Sequence, residues 1–184
     1  MSNKGKLFVV ATPIGNLQDF TFRAVETLKS VHCIFAEDTR TSKKLINHYD
    51  IDKKLYSYHD YSSEKEIARL LDILKDQKDV ALISDAGTPT ISDPGYSLIR
   101  ECISEEIDVV PIPGASALTA AISVSGLPSD AFTFIGFLPT KKGRQKKISS
   151  LENLDTTLVL FESPHRLLKT LNQLKEVLGE RPLL

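Results

Sequence analysis

Seven short apolar runs, separated by polar or helix-patterned stretches, set the strongest limit on how this chain folds. The runs are LFVVA (7–11), HCIFA (32–36), LYSY (55–58), VALIS (80–84), DVVPI (108–112), AFTFIGF (131–137) and TTLVLFE (156–162). Each has strand length, and VALIS reads as a buried strand. Strands alternating with helices predict an α/β architecture with a largely parallel sheet.

Four of the intervening stretches have helical spacing. In SSEKEIARLLDILKDQ, Ile67, Leu70, Leu71 and Leu74 fall on one face, behind a capping box of Ser63 and Glu66. FRAVETLKSV puts Phe22, Val25 and Leu28 at three-residue spacing, and SLIRECI groups Leu98, Ile99, Cys102 and Ile103. PHRLLKTLNQLKEVL opens with Pro164 at a helix-starting position and stacks Leu167, Leu168, Leu171 and Leu174. The small residues of IPGASALTAAISVSGLPSD suit a tightly packed helix that Gly126 and Pro128 stop. A boundary beside it is expected to divide an α/β domain over 1–113 from a second over 114–184. The closing GERPLL reads as a helix end followed by the start of another strand, so the second domain is expected to be incomplete.

Charge and composition remove several function classes. A formal net charge of −1 gives no global attraction to nucleic acid, so any RNA contact has to come from a local patch. One sharp cluster exists: KKGRQKK (141–147), five cations in seven positions, expected as a mobile loop reaching an RNA backbone. No apolar run has the length of a membrane span and MSNKGKLFVVATP lacks a signal-peptide pattern, so the expected location is cytoplasmic, with no membrane partner. Cys33 and Cys102 are expected as reduced core thiols. The histidines at 32, 48, 59 and 165 are scattered, and no zinc-ligand spacing is present.

In an open α/β sheet, ligands sit beyond the carboxyl ends of the strands. Five loops fall there: TPIGNLQD, EDTRTSKK, SDAGTPTISDPG, PGAS and ESPHR. Gly87 and Gly114 let backbone approach a ligand, and Pro13, Pro89 and Pro113 stiffen their loops. Any one of these loops alone is an ordinary strand-to-helix turn; their joint placement points to a site. The familiar nucleotide motifs are absent: ATPIGN replaces GxGxxG after the first run, and there is no GxxxxGK[ST]. Glu37 and Asp38 imitate a ribose-binding acid only weakly without the glycines, and Ser116 and Ser163 lack a nucleophile-elbow context.

Six ordered motifs, ATPIGNLQD, AEDTR, LISDAGTPTISDPG, PIPGASAL, SGLPSDAFTFIGFLP and FESPHR, together resemble the bacterial small-subunit ribosomal RNA 2′-O-methyltransferases of the tetrapyrrole (corrin/porphyrin) methylase superfamily. The resemblance implies a two-domain α/β homodimer binding S-adenosylmethionine. By the same matching, Ala86, Gly87, Thr88 and Pro89 are the counterpart of the superfamily's Gly-Asp-Pro-like element against the cofactor. Thr88 stands where the tetrapyrrole enzymes have Asp, which implies a retuned site. Pro13 is expected to line the adenosyl pocket, with Ile91, Ser116 and Ala117 in contact, and Phe161 and Glu162 closing over it from the second domain. The implied substrate is a cytidine of 16S RNA in the assembled small ribosomal subunit, not DNA.

Methyl transfer from a sulfonium is an in-line displacement, governed mainly by alignment and requiring no metal. A base for the ribose 2′-OH would assist, and the carboxylates nearest the implied site are Asp38, Asp85 and Glu162, which the sequence does not separate. Arg40, Lys43, Lys44 and Arg166, with Lys141, Lys142, Arg144, Lys146 and Lys147, are the expected phosphate contacts. For Lys43 and Lys44 a solvated helix face is the equal alternative, and for His165 a capping role is. Two other functions are open: a methylase of a tetrapyrrole or other small molecule, and a non-catalytic RNA-binding module.

Overall fold

The computed structural model describes residues 3–59 and 64–184. The chain separates into two compact units, Met1–Ala117 and Leu118–Leu184, a division a few residues beyond the expected boundary at 113.

In the first unit, β1 (Leu7–Val10), β2 (Cys33–Ala36), β3 (Lys54–Ser57), β4 (Val80–Ile83) and β5 (Val109–Ile112) form one sheet in the order β3-β2-β4-β1-β5. Every pairing is parallel, so all five carboxyl ends lie on one edge of the sheet. All four residues of β2 and of β4 are buried, which is why these runs read as continuous apolar sequence and not as an alternation. Strand periodicity sends them to two different cores. Ile34, Ala36, Ala81 and Ile83 join Leu28 of α1 (Phe22–Ser30) and Leu45 of α2 (Thr39–His48) on one face. Cys33, Phe35, Val80 and Leu82 join Leu70 of α3 (Glu64–Lys75) and Leu98 of α4 (Tyr96–Ser104) on the other. Pro111, which has no N–H to give a ladder, sits on the edge strand β5.

Several helix expectations need correction. The face of α1 is Ala24 and Leu28, both fully buried, whereas Phe22 is 91% exposed. The i, i+4 pair faces the sheet because Thr21 caps the helix by accepting from Ala24 N–H, which fixes where the turn begins. Ile103 of α4 is likewise exposed while Leu98 and Cys102 are buried. Helix α2 is not among the four helices the spacing predicts. It starts where Asp38 accepts a hydrogen bond from Arg40 N–H, so EDTR is a cap and a first turn. The expected cap of α3, Ser63, lies outside the described residues.

The second unit contains α5 (Ala117–Val124), whose first residue closes the first unit, then β6 (Phe132–Phe137), α6 (Arg144–Ser149), β7 (Thr157–Phe161) and α7 (Leu167–Leu178). Among the described residues β6 and β7 form a two-stranded parallel sheet, with a register shift between Phe134 and Gly136. The small-residue segment is helical as expected, but no residue of α5 is buried, so it is not the tightly packed helix anticipated. Pro164 opens a 3-10 turn (Pro164–Arg166) ahead of α7, and the leucine stack is not a core: Leu168 is 78% exposed and the buried residue of α7 is Thr170. Leu171 and Leu174 instead line a groove of about 800 Å³ beside Leu158 and Leu160 of β7.

Candidate functional site

In the first unit the loops after β1, β4 and β5 are neighbours because β1 pairs with both other strands. Thr12 and Gly87 form an isolated antiparallel bridge between two of them. The Gly87 carbonyl accepts from Thr12 N–H at 2.8 Å, Thr12 Oγ1 at 3.4 Å and Ser84 Oγ at 3.3 Å. Thr12 and Ser84 are buried polar residues whose hydroxyls are thereby satisfied. Gly87 has φ +88°, a conformation that L side chains rarely adopt, and a Cβ there would stand 3.5 Å from Ile14 Cγ2 and 3.9 Å from Ala115 O. Gly114 brings the third loop in: its Cα side faces Ala11, with a Cβ meeting Ala11 Cβ at 3.1 Å.

The same loop after β4 holds two non-glycine residues in the left-handed region, Thr90 (φ 74°) and Ser92 (φ 63°). A β-branched residue at positive φ is an outlier, and such strain collects at binding and catalytic loops. Eleven residues from Ser84 to Pro94 are therefore a built structure and not a long turn.

Of the residues expected at the cofactor, Pro13, Gly87 and Pro89 are buried in this loop cluster, Ala86 is exposed and Thr88 half-buried. Ile91 is 43% exposed, and so, to a similar extent, are Ile14 and Leu17 of the loop after β1. Ser116 is half-buried and Ala117 exposed at the start of α5, so every first-unit member of that set lies at or just beyond the carboxyl edge.

The three carboxylates differ sharply. Asp38 caps α2 and holds Arg40 by two bonds, Nε at 3.1 Å and Nη2 at 2.8 Å. Those hydrogen bonds from Arg40 pull its carboxyl down to about 2. Asp85 is exposed and accepts from Asp38 N–H at 3.1 Å, joining the loops after β4 and β2. Arg40, Lys43 and Lys44 stand on the exposed side of α2, whose buried residues are Ser42, Leu45 and Ile46.

In the second unit Phe161 packs edge-on against Phe134 and Phe137, with centroids at 5.0 and 5.6 Å, and delivers Glu162 at the end of β7. Both oxygens of Glu162 are engaged. Oε1 accepts from Ser163 N–H and pairs with Arg166 Nη2, each at 2.8 Å; Oε2 accepts from Thr170 Oγ1 at 2.6 Å, with Arg144 Nη2 at 3.6 Å. The Thr170 bond, then Ser163 N–H and Arg166, hold its carboxyl below the usual range. A carboxylate with both oxygens held by neighbours of its own unit is built as a structural anchor.

KKGRQKK is not a loop: Gly143 turns at φ 83° and Arg144–Ser149 form α6. Arg144 is buried and points inward, so it is no phosphate contact, while Lys141, Lys142, Lys146 and Lys147 remain exposed. Its guanidinium donates to Gln173 Oε1 at 2.9 Å, Pro139 O at 3.1 Å and Thr170 Oγ1 at 2.5 Å. Thr12, Ser84, Thr170 and Gln173 are participants that sequence reasoning misses. For the last two a signal exists: Arg166, Thr170 and Gln173 recur at helical spacing on one face of a leucine-rich helix.

The family model for Tetrapyrrole (Corrin/Porphyrin) Methylases matches residues 6–184. A Ribosomal RNA small subunit methyltransferase I from Halalkalibacterium halodurans is 52% identical over 97% of this chain and 62% of its own length. One from Thermotoga maritima is 51% identical over 96% of this chain and 80% of its own length. The chain thus spans about three fifths of the first of these relatives. The X-ray structure of a cobalamin biosynthetic enzyme, cobalt precorrin-4 methyltransferase, superposes with a TM-score of 0.69 at 18% identity, covering 94% of this chain and 74% of that one, which carries the likeness of fold. A parallel sheet whose carboxyl edge gathers these loops, matched by this family over nearly its whole length, shows that the chain belongs to the tetrapyrrole (corrin/porphyrin) methylases.

Proposed function

We propose that the protein containing this chain is an S-adenosylmethionine-dependent methyltransferase acting on a cytidine 2′-OH of 16S RNA in the small ribosomal subunit. The observation that carries the reading is the 51% identity to the Thermotoga maritima Ribosomal RNA small subunit methyltransferase I, four fifths of which the chain covers. A tetrapyrrole methylase is the less favoured reading. The structural neighbour from cobalamin biosynthesis shares 18% of its sequence with this chain, a likeness of fold alone.

The first-unit loops fit the proposed cofactor. Exposed Ile14, Leu17 and Ile91 offer apolar surface to the faces of an adenosyl group, beside a rigid backbone held by the Thr12–Gly87 bridge. Pro13, Ala86, Gly87, Thr88, Pro89, Ser116 and Ala117 would hold it. The bound cofactor supplies an electrophilic methyl group. This chain aligns the ribose oxygen with that methyl, and Asp85, exposed and bonded to the Asp38 N–H, takes the hydroxyl proton. Lys43, Lys44, Lys141, Lys142, Lys146, Lys147, Arg40 and Arg166 meet backbone phosphates. The protein works as a cytoplasmic homodimer. Among the described residues no helix is long and apolar enough to cross a membrane.

The test is transfer of tritiated methyl from S-adenosylmethionine by the full-length protein, offered assembled small subunits and uroporphyrinogen in parallel. Label in the subunit RNA alone is expected; label in the tetrapyrrole alone would replace this reading with the other.

A further inference from the structure

Arg144 interrupts a run of lysines yet does the opposite of what they do. On α6 the buried residues are Arg144 and Ile148, one turn apart, which leaves Lys146 and Lys147 on the solvent side of a helix of six residues. So short a helix has little stability of its own and takes its orientation from what it packs on. Its polar anchor is the Arg144 guanidinium, whose three bonded nitrogens reach α7 twice (Thr170 and Gln173) and the chain before α6 once (Pro139). Thr170 passes the connection to Glu162, and Glu162 holds Arg166. Arg144 and Glu162 are one-tenth or less exposed, whereas Arg166 is one-third exposed and its Nε is buried with no hydrogen-bond partner among the described residues. Two guanidinium charges face a single carboxylate, so the cluster keeps an excess positive charge, and its accessible end is Arg166.

We propose that Arg144 is a positioning residue for RNA binding. It locks the lysine-bearing helix α6 to the Glu162–Arg166 loop, so that Lys146, Lys147 and Arg166 form one preorganised face for backbone phosphates. This rests on the RNA reading proposed above. Once α6 is no longer docked, Lys146 and Lys147 are carried away from Arg166 and no longer reach the same run of phosphates, so ionic contacts are lost together with the preorganisation of a docked helix. Lysine at position 144 cannot replace arginine, because one ammonium cannot span three acceptors fixed by a planar fork.

The full-length protein is titrated with small ribosomal subunits at several salt concentrations, with melting temperatures measured beside each titration. Lys146→Gln/Lys147→Gln should lower the slope of log affinity against log salt by about 1.4, roughly 0.7 for each single-strand phosphate no longer neutralised. Arg144→Met, though it removes no surface cation, should lower the slope by a similar amount, and so should Arg144→Lys. Adding Arg144→Met to the double lysine variant should lower it no further, since both changes act on the same phosphates. Thr170→Val, which cuts the link to Glu162 without altering charge, gives the same reading should Arg144→Met fail to fold. If the lysine variant loses slope while Arg144→Met and Thr170→Val keep the wild-type value, or if the losses simply add, the positioning role is wrong and RNA binding by α6 stands. If the lysine variant keeps the wild-type slope, α6 does not bind RNA and both ideas fall.

Discussion

Thr12 and Gly87 exchange backbone hydrogen bonds in both directions, at 2.8 Å from Thr12 N–H and 3.1 Å from Gly87 N–H. The bridge joins the ends of two adjacent parallel strands outside their ladder, and it depends on the positive φ of Gly87. Gly87→Ala should cost about 1–2 kcal/mol of stability, the usual penalty for an L residue in the left-handed region. The loop displacement should also weaken S-adenosylmethionine binding by at least about tenfold, or ~1.4 kcal/mol. Calorimetry on the folded variant reads this directly, and unchanged affinity would remove this loop from the cofactor site.

Among the carboxylates, Asp85→Asn should lower single-turnover methylation by roughly 10²- to 10⁴-fold with little change in cofactor or subunit affinity. Asp38→Asn and Glu162→Gln should act through structure instead, because those carboxylates are already bound to Arg40 and to Thr170, Ser163 and Arg166. A near-normal rate for Asp85→Asn would leave alignment and solvent to carry the proton transfer.

The Asp38–Arg40 pair sets an acid limit on α2. Asp38 has a folded-state pKa of about 2, depressed by Arg40, against about 3.9 for an unperturbed aspartate. A depressed carboxyl stabilises the fold above its unfolded pKa, and the contribution is lost as pH falls through the folded value. Asp38→Asn keeps a good cap but not the charge, so the stability gap between wild type and variant should close as pH falls from about 4 toward 2. Urea midpoints across that range, identical at every pH, would show that the pair contributes nothing.

The buried thiols set an alkaline one. Cys33 and Cys102 are free and lie in one core, where burial raises their pKa values to about 11 and about 12. An acid whose folded pKa is raised stabilises fully below its unfolded value and loses that contribution as pH rises toward the folded one. Stability should therefore decline above about pH 8.5, the ordinary thiol pKa. Both cysteines should resist a thiol reagent until the protein unfolds; rapid labelling of the native protein at neutral pH would contradict their placement.

Strands β2 and β4 were the most legible, because a strand covered on both faces of a parallel sheet needs consecutive apolar residues, and all four residues of each are buried. Helix faces were less so. Phe22, the largest apolar residue of α1, is exposed while small Ala24 is buried, because hydrophobicity says nothing of where a capped first turn starts. Phe22→Ala should accordingly change stability by no more than about 0.5 kcal/mol and Leu28→Ala lower it by about 2–5 kcal/mol. The loop cluster was legible from glycine and proline at strand ends. The roles of Arg144 and Glu162 were not, since a buried ionic network between α6, α7 and the end of β7 needs partners 18 to 29 positions from Arg144 that no local pattern connects.

The proposed reaction is methylation of a ribose 2′-oxygen in 16S RNA. It is tested most directly by incubating the full-length protein with assembled small subunits and methyl-tritiated S-adenosylmethionine, then hydrolysing the RNA in alkali. Alkaline cleavage requires a free 2′-OH, so a 2′-O-methylated cytidine survives as a resistant dinucleotide. The label is expected in one such cytidine dinucleotide. Label released entirely in mononucleotides would mean methylation of a base and would overturn the proposed ribose methylation.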